Sequence, residues 1–576
     1  MLRLAPALVI ALLTLPVAAG LGMILLPAFG YLPVLGGDAA SLTPFHMLFA
    51  QPGLWRSAAL SMASGLVTPF IALSVVVLFL AAGRDSRLDR SIRRLVSPFL
   101  AVPHAALAFG LAFLIAPSGL LMRLVSPWLN GVSHPPDALI VNDPLGLSLM
   151  AGLILKEIPF LLLMSLAALH QLQPEKRVEI ARSLGYAPTV GWLKTVLPVL
   201  YPLIRLPVYA VIAYATSNVD MALILGPTLP PTLAVSILGW FNDPDLNRRF
   251  MASAAAVLQL GVTLATLLTW WLGERLVARC LRPWLTSGGR RRGEATLRRL
   301  GRSGLTGASL TAVAALAGLV MFSFAGFWSF PDALPQTWTF DHWQRVAPML
   351  SGALGNTTLI ALAATFMATA LVLAVLENEH RQNIRPARAP WLLYVPLIVP
   401  QIAFLFGLVV AAESLGVAPQ TGLVIAGHLL FVLPYVYLSL ADAYRQLDPR
   451  WFEVARSLGV SRNAAFWRVR LPLLAAPLLT AFAVGLAISI GQYLPTQLLG
   501  AGRVNTVTTE AVALAAGGNR RLISVWALVQ AFLPLLGFVL AAALPRLLTS
   551  PGRILRGRPP YPANASAPHV IGKKDP

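Results

Sequence analysis

Charged side chains make up only 12% of the 576 residues, and cysteine occurs once, at Cys280. A chain so poor in charge cannot cover the surface of a soluble protein of this length. The lone cysteine excludes an internal disulfide. No Gly-x-x-x-x-Gly-Lys-Ser/Thr phosphate loop occurs, so the chain does not bind and hydrolyse ATP by that means. There is no His-Glu-x-x-His string or cysteine pair, and the eight histidines are scattered. A membrane-embedded enzyme would want His, Asp or Glu clustered at one depth, and spacing assembles no such cluster.

What is present is apolar: 57% of the residues, with mean hydropathy +0.72. A span needs about 20 apolar residues. We place spans near 5–29, 57–82, 95–116, 145–170, 199–226 and 250–272, then 305–330, 352–376, 391–411, 421–444, 472–498 and 522–545. The net charge is +21. With both termini cytoplasmic, the cytoplasmic segments hold 34 of the 44 Lys and Arg. That asymmetry is topological, so nucleic acid is not the expected partner. Residues 1–20 resemble a cleaved signal peptide, but the apolar run continues to Phe29, which favours an uncleaved first helix.

The chain repeats itself. Glu179-Ile-Ala-Arg-Ser-Leu-Gly185 returns 274 residues later as Glu453-Val-Ala-Arg-Ser-Leu-Gly459, and each copy is followed by a Leu-Pro pair, Leu197-Pro198 and Leu471-Pro472. At the same offset Leu225-Gly226 meets Leu499-Gly500, and Thr232 meets Thr506. An even span count per half puts both cassettes on one face, as in a parallel duplication about an axis along the membrane normal. The expected organisation is a first unit at 1–272 and a basic cytoplasmic linker at 273–304 that contains Arg290-Arg291-Arg292. A second unit follows at 305–545, and then a disordered cytoplasmic tail at 546–576.

Each cassette reads as a short helix begun near Pro174 or Pro449, a glycine corner at Gly185 or Gly459, and a second short helix. Trp192, Phe466 and Trp467 are able to project from the second helix. Two short helices with an exposed aromatic and a glycine corner form a docking knob. An ordinary basic loop would explain the arginines but not the matched strings and spacing.

This pattern resembles the EAA loop of permease subunits in binding-protein-dependent ABC importers of the type I fold. The match is carried by Glu179, Ala181, Gly185, Leu197 and Pro198, and again by Glu453, Ala455, Gly459, Leu471 and Pro472. It departs at Ile180 and Val454, where the family has the first alanine of its triplet. The resemblance covers roughly 50–272 and 350–545. It implies an all-α polytopic membrane protein of about 12 transmembrane helices, built as two parallel-related six-helix permease units. Each cassette, with Trp192 and Trp467, would then seat one copy of a separate ATPase subunit. That subunit would bind ATP and Mg, leaving no cofactor in this chain. A periplasmic or extracellular substrate-binding protein would deliver the solute, and the chain would lie in the bacterial inner (plasma) membrane. A fused double permease is most similar to the thiamine and ferric-iron importers, so a thiamine-like organic cation or iron is the favoured solute. The main rival is a twelve-span, proton-coupled secondary transporter, whose signature loop between spans two and three is not evident at 83–94 or 377–389.

Polar groups inside spans are candidates for the substrate path. They are Lys156 and Glu157 in span four, Ser217, Asn218 and Asp220 in span five, and Gln492 and Tyr493 in span eleven. His428 reads as a hydrogen-bonded interior histidine, and Arg205 as able to snorkel. The segments 117–144 and 227–249 are expected to meet the binding protein, through Asp137, Asp143, Asp243 and Asp245.

Overall fold

The computed structural model describes residues 2–83, 97–128, 133–290, 294–384 and 389–548. The tail from 549 onward, Arg291, Arg292 and most of the 83–94 loop lie outside the described residues. Among the described residues there is no strand, only two isolated bridges, Leu32 with Gly37 and Ala325 with Trp338. Each bridge follows the first helix of its unit.

Ten helices are long and apolar enough to span a membrane, and two further bent pairs bring the number to twelve. The bends differ from the continuous spans expected at 391–411 and 472–498. Trp391–Ile398 turns by 83° into Gln401–Ser414, and Arg462–Leu473 turns by 74° into Ala475–Ile490. The first bend falls at Pro400, which is extended and lacks the N–H a helix interior needs. Pro103 takes the same extended form ahead of His104–Ile115, so that helix starts well inside the expected 95–116. The linker also differs from a solvated loop. Residues 273–286 continue the helix Arg248–Thr286, and 295–304 begin the helix Ala295–Phe324.

The two units are interlocked. The first helix of unit one, Ala5–Ala28, packs on Gln401–Ser414 of unit two, and the first helix of unit two packs on Leu54–Ala82 and His104–Ile115 of unit one. Both crossings use small residues. A Cβ on Gly407 would collide with the carbonyl oxygen of Gly20, and one on Gly110 would come within 2.8 Å of the carbonyl oxygen of Ala315. Bare backbone surfaces let the helices approach closely, which drives helix association where lipid is as apolar as the side chains.

The duplication extends to hydrogen bonds. Ser61 Oγ accepts from the Leu233 amide (3.1 Å), and Thr357 Oγ1 accepts from the Val507 amide (2.9 Å). In each unit a hydroxyl on the second span thus caps the helix that follows the broken fifth span, covering an amide that helix geometry leaves without a partner.

Candidate functional site

The two cassettes fold alike. The first is Pro174–Ser183, a corner at Gly185, and Pro188–Thr195. The second is Arg450–Ser457, a corner at Gly459, and Arg462–Ala465 running into a π-turn over Phe466–Arg470. Gly185 and Gly459 sit at φ +83° and +80°, a left-handed conformation that glycine adopts without a Cβ clash. The bonds around the corner match one for one. Gly185 N donates to Arg182 O and Tyr186 N to Ala181 O, just as Gly459 N donates to Arg456 O and Val460 N to Ala455 O. That paired closure satisfies the last carbonyls of the helix.

Ala181 and Ala455 are buried at the heel of the corner; Ala181 Cβ lies 3.0 Å from where a Cβ on Gly191 would sit. A larger side chain there would pry the two short helices apart. Glu179 and Glu453 are exposed. The outward apolar groups are Ile180 and Leu184 in one cassette, and Trp451, Val454, Leu458 and Trp467 in the other. Trp192 corrects the expectation that it projects: it is 6% exposed and packs beside Leu169, Val196 and Leu200. Its counterpart at offset 274 is Phe466, whereas Trp467 corresponds to the half-buried Leu193.

The cassettes are anchored differently. Linker residues lie against the first: Lys194 Nζ donates to Ser287 O (2.7 Å), and the Val190 amide donates to the buried carboxylate of Glu294 (2.8 Å). Beneath the second is an ionic cluster. Arg470, 3% exposed, pairs with Glu377 and donates to Tyr444 Oη (3.0 Å), and its guanidinium stacks 3.7 Å from the Phe452 ring centroid. Val196 stands at the equivalent of Arg470 in the first unit. Glu377 lies in the last turns of the long helix Asp341–Gln382, so the second cassette packs against the end of that helix.

Pro198 and Pro472 sit in the first turn of the helices that leave the cassettes. The first of these helices, and Ala475–Ile490 beyond the bend that follows the second, end in polar breaks. Leu197–Ser217 stops at Asn218, whose Oδ1 accepts from the Met221 and Ala222 amides while its Nδ2 donates to Asp220 (2.6 Å). The helix then restarts as Asp220–Leu225, so the span expected at 199–226 is broken. Gln492 and Tyr493 occupy the matching break between Ala475–Ile490 and Leu494–Gly500.

Of the path candidates, the structure brings Glu157, Asn218, Asp220 and Tyr493 to one centre. Glu157 faces His104 at 3.8 Å, the His104 ring lies 4.8 Å from that of Tyr214, and Tyr214 donates to Asp220 (3.4 Å); Glu157 also lies near Tyr435, and Asp220 near Tyr493. Lys156 stands beside them, its ammonium donating to the carbonyls of Phe99, Leu100 and Val102 rather than pairing with either carboxyl. Ser217 bonds back to Ala213 O within its own helix. His104, Tyr214, Phe160 and Tyr435 are part of this centre and were not among the sequence candidates.

Other expectations resolve individually. His428 is an interior histidine held by Ser489 Oγ and Thr496 Oγ1, both at 2.8 Å. Arg205 is paired rather than free to snorkel, 2.6 Å from Glu274. Asp143 is consumed internally, accepting from the Leu147 and Ser148 amides at 2.8 Å, and Asp243 pairs with Arg248 at 3.1 Å.

Two interlocked membrane units, each with a glycine corner between two short helices and a broken, polar fifth span, define a two-unit membrane permease. Residues 389–549 match the family described as the binding-protein-dependent transport system inner membrane component. The chain is 32% identical over 512 residues to the inner membrane ABC transporter permease protein YnjC of Escherichia coli (strain K12), covering 88% of this chain and 91% of that one. It therefore belongs to the ABC transporter permease family, and the secondary-transporter reading falls. It is also 28% identical over 169 residues to the molybdenum transport system permease protein ModB of Mycobacterium bovis, covering 27% of this chain and 61% of that one. A third relative, the spermidine/putrescine transport system permease protein PotC homolog of Mycoplasma pneumoniae, is 29% identical over 121 residues, 21% of this chain and 40% of that one.

Proposed function

We propose that the chain is the fused pair of channel-forming subunits of an ATP-driven importer. Each cassette seats one of two ATPase subunits on the cytoplasmic side, and a binding protein delivers a small solute from outside. The observation that carries this reading is the doubled corner. Gly185 and Gly459 close matching caps beside the equivalent exposed pairs Ile180 with Leu184 and Val454 with Leu458, and connect through Pro198 and Pro472 to the two broken spans. When the ATPase subunits close, the cassettes move together and the broken spans rock about the polar centre.

The centre supports a small organic cation as the solute. Glu157 and Asp220 offer negative charge, and the rings of Tyr214, Phe160, Tyr435 and Tyr493 offer faces that attract cations. None of the relatives named above is described for thiamine or iron, so neither is carried forward. One of them is named for spermidine and putrescine, which are organic cations.

The test is tagged purification of the wild-type chain and of a Gly185→Asp, Gly459→Asp variant from native membranes. An ATP-binding subunit should accompany the wild type and be lost from the variant. Its absence from the wild type under gentle detergent, or its retention by the variant, sinks the docking assignment.

A further inference from the structure

In the first cassette the Val190 amide is met by Glu294 from the linker. The matching amide of the second, Ala464, is capped by its neighbour Ser461 Oγ (3.3 Å), and no linker carboxylate reaches it among the described residues. Beneath the second cassette instead lies a cavity of about 160 Å³ lined by Arg381, Arg456, Arg462, Arg470, His380 and Glu377. Four guanidinium groups face one carboxylate. Glu377 is already shared between Arg381 (2.6 Å) and Arg470, and the nearby Glu379 is taken by Arg445 (2.9 Å).

Arg456 and Arg462 make no ion pair or side-chain hydrogen bond among the described residues. Arg470 is 3% exposed, and its Nε is buried with no acceptor among the described residues. A buried donor on a charged group is costly to leave unmet. The surplus charge and the unmet donor line the same cavity.

We propose that this cavity binds a phosphate-bearing anion, supplied by the headgroup of an acidic phospholipid. Guanidinium forks match phosphate oxygens in pairs, and basic pockets between spans at the cytoplasmic surface suit such headgroups. The cavity lies at the end of Asp341–Gln382, just past the apolar stretch expected to span at 352–376. Its volume admits a phosphate group but not a whole nucleotide. The chain's own C-terminal residues 549–576 are a poor occupant by charge, with five Lys and Arg against Asp575. The bound headgroup would tie the second cassette to the bilayer, as the linker ties the first.

The experiment is native mass spectrometry of the full-length chain, titrated with phosphatidylglycerol or phosphatidylcholine, for wild type and an Arg456→Gln, Arg462→Gln variant. Both residues are exposed, so folding should survive; an Arg182→Gln variant serves as the first-cassette control. Wild type and control should retain phosphatidylglycerol over phosphatidylcholine, and the double variant should bind it about tenfold more weakly, the equivalent of about 1.4 kcal/mol. A second arm follows thermal aggregation with inorganic phosphate alone. Protection of the wild type and not the double variant, without retained phosphatidylglycerol, keeps the anion site and makes free phosphate its source. Equal binding of both probes by wild type and double variant overturns the proposal. So does binding of neither probe while a crosslinker at Arg462 captures an acidic side chain of a bound ATPase subunit, because the cavity is then a protein contact.

Discussion

Phe160 and Tyr435 are equivalent residues, each one step past a mid-span proline (Pro159 and Pro434), and their rings meet edge to face with centroids 6.5 Å apart. The axis relating the two units therefore passes between these rings, beside Glu157. An edge-to-face pair contributes about 0.5–1.5 kcal/mol beyond its buried area. Phe160→Ala and Tyr435→Ala should each lower solute-stimulated ATPase activity of the reconstituted transporter. The double variant should lose less than the sum of the singles, by a coupling of about that size. Additive losses would show that the rings act separately.

The interlock between units rests on two glycines back to back. A Cβ on Gly407 meets the Gly20 carbonyl, which is backbone and cannot turn aside. Gly407→Ala should destabilise the chain by about 1–3 kcal/mol, the range for overpacking. Its aggregation temperature in detergent should fall accordingly. Gly352→Ala, with open space around its Cβ in a helix interior, should hold or raise that temperature. Equal effects at the two sites would remove the interlock as the cause.

The buried pair Glu377 and Arg470 holds the second cassette to the long helix beneath it. Removing one partner strands the other, at about 3–5 kcal/mol. Glu377→Ala should therefore reduce the yield of monodisperse protein sharply. Because the first unit carries Val196 in place of Arg470, Arg470→Val combined with Glu377→Ala should recover much of the yield. No recovery would mean the cluster also depends on Tyr444 and Arg381.

Much of this was legible in sequence, and the part that was not has physical reasons. The cassettes stood out because polar strings are rare in an apolar chain, and their glycines are fixed by backbone geometry rather than by packing. The earlier half of the duplication was harder to see. Pro103 with Gly110 and Pro400 with Gly407 repeat at an offset of 297, not 274, because the first unit carries the longer 117–144 segment. Only the structure, through the matched Gly110–Ala315 and Gly407–Gly20 crossings, aligns them. Trp192 was misjudged because apolar side chains on a short amphipathic helix can face either way, and its tertiary neighbours decide. What Lys156 donates to is not legible, because nothing in the sequence reveals three carbonyls from a turn more than fifty residues earlier. His104, Phe160, Tyr214 and Tyr435 were overlooked because single aromatic residues in spans are common; the signal available was the Pro-Phe and Pro-Tyr match at 159–160 and 434–435.

Outside the spans, Asp143 anchors the start of Leu147–Leu169. Burial pushes its carboxyl up, but the Ser148 and Leu147 amides, the Ser148 hydroxyl and the Leu145 amide outweigh this and hold it below the usual carboxylate range. A depressed folded value means that the stabilisation is complete above the unfolded value, about 3.9. It is lost as pH falls through the lower folded one. Asp143→Ala should cost about 1 kcal/mol at pH 7. The difference from wild type should shrink only in strong acid, as read by thermal aggregation across pH. A difference already closing at pH 6 would contradict this assignment.

The polar centre yields the sharpest prediction about the solute. Glu157 accepts no hydrogen bond among the described residues; His104 stands 3.8 Å from it, and the ammonium of neighbouring Lys156 is held by backbone carbonyls rather than by this carboxyl. A carboxylate left open in this way beside the rings of Tyr214 and Tyr435 is a ready counter-ion for a cation passing between the units. Asp220 is less open, since it already accepts from Asn218 and Tyr214. Glu157→Gln keeps the shape and removes the charge. For an organic cation such as a polyamine, the variant should raise the concentration needed for half-maximal uptake about tenfold, the loss of one charge-assisted contact. Assembly with the ATPase subunit should be unchanged, because Glu157 lies in the middle of Leu147–Leu169, about three helical turns before that span ends and the first cassette begins. For an oxyanion the same substitution should leave uptake unchanged or improve it, since it removes a repelling charge. Parallel uptake assays with spermidine and molybdate, wild type against Glu157→Gln, therefore separate the two solute classes by the sign of the effect.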